Sequence, residues 1–100
     1  MIVRIFDTSV HPDDVEHGRQ LFRKHVAPAF AAFRGCHGID MLLGVEEHSG
    51  ELVEVVAISR WDTMEDISRA VATPEYAAAL VELTTLFRQA PLVRHFETVD

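Results

Sequence analysis

The chain has 100 residues, of which 48% are hydrophobic and 25% are charged, as in an ordinary globular domain. Nine Lys and Arg against sixteen Asp and Glu give a formal net charge of −7, which disfavours nucleic acid and anionic membranes as partners. The single cysteine, Cys36, excludes a disulfide within the chain. No secretory signal or membrane-spanning run is visible, so we expect one domain over residues 1–100, located in the cytoplasm.

The first half of the chain predicts a strand, a helix and a β-hairpin. Residues 2–10 are rich in β-branched and aromatic side chains, which favours a strand. From Val15 to Phe33 apolar residues recur every three or four positions, which indicates a helix. Pro28 is expected to kink this helix because it lacks an amide donor, and Gly35 is expected to follow its end.

The hairpin is predicted from two apolar runs with a short turn between them. Residues 36–47 and 51–61 read as strands, and His48-Ser49-Gly50 is a turn cluster. The short connection implies antiparallel pairing of the two strands.

The second half predicts two helices in series and a last strand. Both Asp62-x-x-Glu65 and Thr63-x-x-Asp66 resemble capping boxes at the start of the first of these helices. Thr73 followed by Pro74 is a second helix start signal. Pro91 ends the helical pattern, and residues 92–99 read as a strand.

This order of elements, βαββαβ, predicts an α+β fold of the ferredoxin-like kind, a four-stranded antiparallel sheet with helices on one face. The third strand carries apolar residues on both faces, so the face away from the helices would be exposed in a monomer. We therefore expect this face to be buried in a homodimer, with a symmetric dimer as the simplest case.

Sequence motifs for phosphate, dinucleotide or zinc-protease chemistry are absent. RNA-recognition domains share the element order, but the third strand here, ELVEVVAISRW, lacks their exposed aromatic and basic residues. His17 and His25 are eight residues apart and would lie about 80° apart around a helix, so they do not converge on one ion. We expect no metal site, and surface or edge positions for the six histidines.

Four residues are candidates for chemistry, and each also has a purely structural interpretation. Trp61 could stack on a flat ligand or could anchor the core. Asp7 could act as a base if it faces inward, or could lie in water at a strand edge. Tyr76 and His25 border helical apolar stripes, where they could line a cavity or simply pack. Because ligand pockets are mostly apolar, the pocket is expected to include Phe22, Phe33 and Ile67.

The chain resembles the antibiotic biosynthesis monooxygenase family, within the dimeric α+β barrel group. The resemblance rests on the element order and on three segments: Phe33-Arg34-Gly35-Cys36-His37-Gly38, Ser59-Arg60-Trp61 and Thr73-Pro74-Glu75-Tyr76. It implies a ferredoxin-like protomer, a dimer formed by the two sheets, and a pocket between sheet and helices in each protomer. Some members oxidise polycyclic phenols with O₂ and without flavin or metal, and others bind and degrade haem.

The resemblance extends only partly to the functional residues. Trp61 matches the tryptophan shared by both active branches, whereas Asp7 stands where the haem-degrading branch has an asparagine. That branch also needs a histidine in the helix after the tryptophan, and residues 49–94 contain none. Tyr76 lies later in the chain than the tyrosine of the phenol-oxidising branch.

The sequence therefore predicts a cofactor-independent monooxygenase-like protein acting on a flat aromatic or quinol molecule. Trp61 would stack on the ring, and Asp7, His25 or Tyr76 would accept or relay the phenolic proton. The alternative is a non-catalytic dimeric module that binds a small molecule or a partner. Atypical haem binding is a third, weaker hypothesis.

Overall fold

The structure is a computed structural model that describes residues 1–46 and 51–100. Four strands form one antiparallel sheet in the order β2-β3-β1-β4. The strands are β1 (Ile2–Val10), β2 (Cys36–Leu43), β3 (Val53–Trp61) and β4 (Leu92–Glu97). This order confirms the predicted α+β, ferredoxin-like βαββαβ fold.

The sheet strands agree with the sequence patterns except at their ends. β1 has the predicted bounds, whereas β2 ends at Leu43 and β4 ends at Glu97, both earlier than predicted, and β3 begins at Val53, later than the predicted residue 51. The ladder between β2 and β3 closes where the Gly44 amide donates to the Glu54 carbonyl oxygen at 2.8 Å. The predicted turn, His48-Ser49-Gly50, lies outside the described residues.

The first helical region is continuous but changes its winding. It consists of α1 (Val15–Leu21), a π-helical turn (Phe22–Val26) and α2 (Ala27–Ala32). Pro28 follows this wide turn. A proline ring would clash with the carbonyl four residues earlier in a regular helix, and the wider winding relieves that crowding. The kink expected at Pro28 is therefore replaced by a widened π-helical turn that ends just before this residue.

The second helical region is split as predicted. Helix α3 (Met64–Val71) begins after Thr63, whose hydroxyl oxygen accepts from the Asp66 amide, so Thr63 of the second candidate capping box is the N-cap; the Asp66 carboxylate accepts from the same hydroxyl. Helix α4 (Pro74–Leu80) begins after Thr73, whose hydroxyl accepts from the Tyr76 amide at 3.2 Å. A short 3₁₀ turn (Leu83–Leu86) then leads towards β4.

The sheet has one covered and one open face. Alternation along the strands places Arg4, Phe6 and Thr8 beneath the helices and Ile5 and Asp7 on the opposite side. The open face carries both apolar and polar side chains, and of the apolar ones Leu42, Leu92 and Phe96 are 47%, 55% and 47% exposed. Within the described residues, no helix is long and apolar enough to cross a bilayer.

Two clusters of buried side chains lie under the helices. One surrounds Trp61, which is fully buried against Phe30, Ile67 and Ala70. The other joins Val10 at the end of β1 to Leu21 and Leu86. The space between the two clusters, over the middle of the sheet, contains the cavity described next.

Candidate functional site

An apolar cavity lies between the covered face of the sheet and the helices. Its floor comes from β1, β2 and β3, and its roof from α1, the π-helical turn, α2, α4 and the 3₁₀ turn. The described residues that line it are Arg4, Phe6, Thr8, Val10, Val15, Gly18, Phe22, Val26, Phe30, Ile39, Met41, Leu43, Val55, Ala57, Ser59, Tyr76, Leu80, Leu83 and Phe87.

The cavity volume is about 50 Å³, room for about three to five water molecules. A ring system therefore enters only when lining side chains move. Phe22 and Val26, the two ends of the π-helical turn, both line the cavity. The wide turn is thus part of the roof, and Pro28 next to it helps to position these two side chains.

Arg4, Ser59 and Tyr76 lie at one end of the cavity, and the remaining polar residue of the lining, Thr8, donates its hydroxyl to the Gln89 carbonyl oxygen at 2.8 Å. The register pairs Arg4 of β1 with Ser59 of β3, while the far end is formed by residues such as Val10 and Val15. The Arg4 Nη2 atom donates to the Tyr76 hydroxyl oxygen at 3.0 Å, and the guanidinium carbon lies 5.9 Å from the centre of the Tyr76 ring. A guanidinium and a phenolic hydroxyl therefore face one end of a mostly apolar space.

His95 of β4 is the third member of this polar group. It pairs with Arg4 across the β1–β4 ladder, and its Nε2 atom lies 3.3 Å from the Arg4 Nη1 atom. Partial burial, and next the positive charge of Arg4, lower the pKa of His95 below its usual value of 6.5. The neutral imidazole is therefore favoured beside Arg4.

Of the residues predicted for the site, Tyr76 and Phe22 line the cavity. Asp7 lies on the open face of the sheet, where it pairs with Val56 and Leu92. His25 lies on the π-helical turn but outside the cavity lining, with its Nε2 atom 3.9 Å from a Glu82 carboxylate oxygen.

Trp61, Phe33 and Ile67 lie beside the cavity and not on its wall. Trp61 is 0% exposed, and its ring stacks with Phe33 at a centroid distance of 6.3 Å. The indole Nε1 donates to the Ser59 hydroxyl oxygen at 2.8 Å, and Ser59 does line the cavity. Trp61 thus contacts the site through Ser59, and its full burial fits the interpretation as a core anchor, since no face of the ring is open to a ligand in this structure.

Arg4, Ser59 and His95 were not singled out by sequence reasoning. Arg4 carries a signal that could have identified it, since it alternates with Ile2, Phe6 and Thr8 on one face of β1. A cation on a strand face with no other charged residue is unusual, because burying an unpaired charge is costly. His95 had no such signal, because its role depends on the β1–β4 register.

Comparison with known proteins identifies the family. Residues 1–81 match the model of a protein family described as "Antibiotic biosynthesis monooxygenase". The chain belongs to this family. The match includes Arg4, Ser59 and Tyr76 but ends before β4 and His95.

Solved structures share the fold at low sequence identity. A Nitrosomonas europaea protein named within this family has a TM-score of 0.81 at 16% identity, with 100% of both chains covered. SnoaB of Streptomyces nogalater, described as a cofactor-independent oxygenase, has a TM-score of 0.74 at 21% identity, covering 99% of this chain and 93% of that one. Rv0793 of Mycobacterium tuberculosis has a TM-score of 0.72 at 20% identity, covering 99% and 95%. No curated protein gives a significant match.

The hydrogen bond between Trp61 and Ser59 predicts an asymmetric response to two serine substitutions. Ser59→Ala leaves a buried indole N–H without its acceptor and should lower the free energy of unfolding by about 1–3 kcal/mol. Ser68→Ala, on the exposed face of α3, should change it by less than about 0.5 kcal/mol. Urea unfolding followed by the fluorescence of Trp61, the one tryptophan, measures both, and equal values would contradict the assignment.

His95 predicts a pH dependence of stability. Its pKa in the folded chain is below 6.5, so the unfolded chain takes up the proton first as the pH falls. Stability is then lost as the pH falls through 6.5, and the loss stops below the folded-state pKa. Urea unfolding between about pH 8 and about pH 5 should show a smaller loss in His95→Gln than in wild type. The exposed His17→Gln control should keep the wild-type loss.

Proposed function

We propose that this protein is a cofactor-independent monooxygenase that oxidises a flat aromatic phenol or quinol in the cavity. The observation that carries the proposal is the apolar cavity with a hydroxyl and a guanidinium at one end. Membership of the family and the fold shared with SnoaB support it.

The residues suggest a division of roles along the cavity. Apolar walls such as Phe22, Phe30 and Leu83 would hold the ring and exclude water. At the polar end, Arg4 would stabilise the phenolate that forms when the substrate loses its proton, and Tyr76 would relay that proton. The electron-rich substrate itself would supply all the electrons that reduce O₂: the phenol and O₂ give a quinone and water, so that one oxygen atom becomes the new carbonyl oxygen and the other leaves as water with two substrate hydrogens.

Trp61 would act indirectly in this scheme by holding Ser59 at the cavity wall. Phe33 and Ile67 would support Trp61 from behind. Asp7 and His25 lie outside the cavity, and the proposal gives them no part in handling the phenolic proton.

Oxygen consumption tests the proposal directly. The purified protein should consume O₂ with a hydroxylated polycyclic aromatic such as dithranol, with no flavin or metal added and at a rate above the uncatalysed oxidation. Tyr76→Phe, which keeps the ring packed on Phe30, should lower kcat by at least about tenfold because the proton relay is lost. Thr84→Ala, which removes an exposed hydroxyl outside the cavity, should leave kcat unchanged. Equal rates in both variants would exclude Tyr76 from the reaction.

A non-catalytic binding module is the second candidate. It is favoured by the absence of a carboxylate among the described cavity-lining residues, since a carboxylate is a common general base. Stabilisation of the protein by aromatic ligands in a thermal-shift assay, without any O₂ consumption, would identify this function. A shift with hemin alone would instead indicate haem binding.

We further propose that the open face of the sheet is the contact surface of a homodimer, as proteins of this family are commonly dimeric. Ile58 lies on this face, between Ile5 and Asp40 in the ladder. Ile58→Lys should shift the protein from dimer to monomer in sedimentation velocity, because a charge would replace an apolar side chain in the contact and its desolvation is costly even opposite Asp40. Val81→Lys, at a 62% exposed position on the helical side, should leave the dimer intact. A wild-type monomer, or a dimer that survives Ile58→Lys, would contradict this proposal.

A further inference from the structure

The cavity contains a cation, Arg4, that no described carboxylate neutralises. Arg4 lines the cavity, and no carboxylate of residues 1–46 or 51–100 lies within ion-pair distance of it. Its guanidinium is instead held by two neutral partners, the Tyr76 hydroxyl on one nitrogen and the His95 ring on the other. The positive charge is therefore not neutralised by these contacts.

The chemistry of the two side chains determines the direction of the contact between Arg4 and His95. A guanidinium can only donate hydrogen bonds, so the His95 Nε2 atom must accept. An accepting Nε2 belongs to a neutral ring that carries its proton on Nδ1. The lowered pKa of His95 agrees with this state.

Histidine suits this position better than a carboxylate would. An aspartate or glutamate opposite Arg4 would restrain the guanidinium but would also cancel its charge for an incoming ligand. A neutral imidazole restrains it through a hydrogen bond and leaves the charge available. Tyr76 of α4 meets the other terminal nitrogen of the same guanidinium. Glu97, two residues further along β4, lies on the same face of the sheet as His95 and makes no ion pair with Arg4 among the described residues.

We propose that His95 is a positioning residue that holds Arg4 towards the cavity, so that the site selects hydrophobic molecules bearing one ionised oxygen over neutral molecules of the same shape. The inference rests on the proposed function and specifies its substrate class as hydrophobic phenols that the site holds in their ionised form once the phenolic proton has left. It concerns binding alone and can be tested without turnover. His95 lies beyond residues 1–81, the part of the chain that matches the family.

A matched pair of ligands tests the selection. 2-Naphthoate supplies a ring with an ionised oxygen, and 2-naphthylmethanol supplies the same ring without a charge. Calorimetric titration at about pH 8, where an unperturbed carboxylate is ionised and an unperturbed histidine is neutral, gives both dissociation constants. Wild type should bind the anion at least about tenfold more tightly, since a charge-assisted hydrogen bond contributes on that scale.

Three variants separate the roles of charge and positioning. Arg4→Met should weaken naphthoate binding by at least about tenfold, and His95→Leu by about three- to tenfold, with naphthylmethanol binding changed less than twofold in both. His95→Gln keeps an acceptor oxygen and should restore naphthoate binding to within about twofold of wild type. A merely structural role for His95 predicts equal losses for both ligands and no rescue by glutamine.

The outcomes distinguish this inference from the proposed function. Equal affinity for the two ligands in wild type, or naphthoate binding insensitive to both Arg4→Met and His95→Leu, overturns the inference and leaves the cavity as an aromatic site. Binding of neither ligand overturns the inference together with the proposed occupancy of the cavity. Ala57→Leu, which places a larger side chain in the cavity, should abolish binding of both ligands if the cavity is the site.

Discussion

The register between β1 and β3 is the constraint on which the rest of the site depends. It places Arg4 opposite Ser59 and Phe6 opposite Ala57, all on the covered face of the sheet. Since side chains alternate between faces, a slip of one residue would move Arg4 to the open face and bring Asp7 under the helices. The two βαβ crossovers require β1 and β3 at the centre of the sheet, so topology and register together determine the floor of the cavity.

The covered face then divides into a packed part and an open part. Around Trp61 the aromatic rings of Phe30 and Phe33 pack closely, and the indole N–H is satisfied by Ser59. Towards the middle of the sheet the floor is made of smaller side chains such as Ala57, and the roof contains the wide π-helical turn. A cavity persists there because a small residue in the floor faces a helix that cannot wind regularly next to Pro28.

The charge of Arg4 makes the two ends of the cavity different. Arg4 is half-buried, and both of its hydrogen-bond partners are neutral. Its positive charge is therefore weakly screened within the mostly apolar cavity. The same arrangement makes the site chemically asymmetric, with an apolar end near Val10 and a cationic end near Tyr76. The Trp61 cluster contributes rigidity to the cationic end through the hydrogen bond to Ser59.

Much of the fold was predictable because it follows from local patterns. Alternating residues predicted the strands, helical periodicity the helices, and Thr63 and Thr73 the helix starts, where the side-chain caps are observed. The site was less predictable. Trp61 and Asp7 were candidates on the basis of residue type, yet one is enclosed in the core and the other lies on the opposite face.

The sequence by itself determined the elements, their order and the family, because propensity, capping and periodicity act over a few residues. Only the tertiary structure decided which polar groups meet. Tyr76 lies 72 positions and His95 lies 91 positions from Arg4 in the sequence. The three come together only when β4 joins the edge of the sheet and α4 packs above it. The physical reason is that contacts between distant residues depend on strand register and helix packing, which no local pattern encodes.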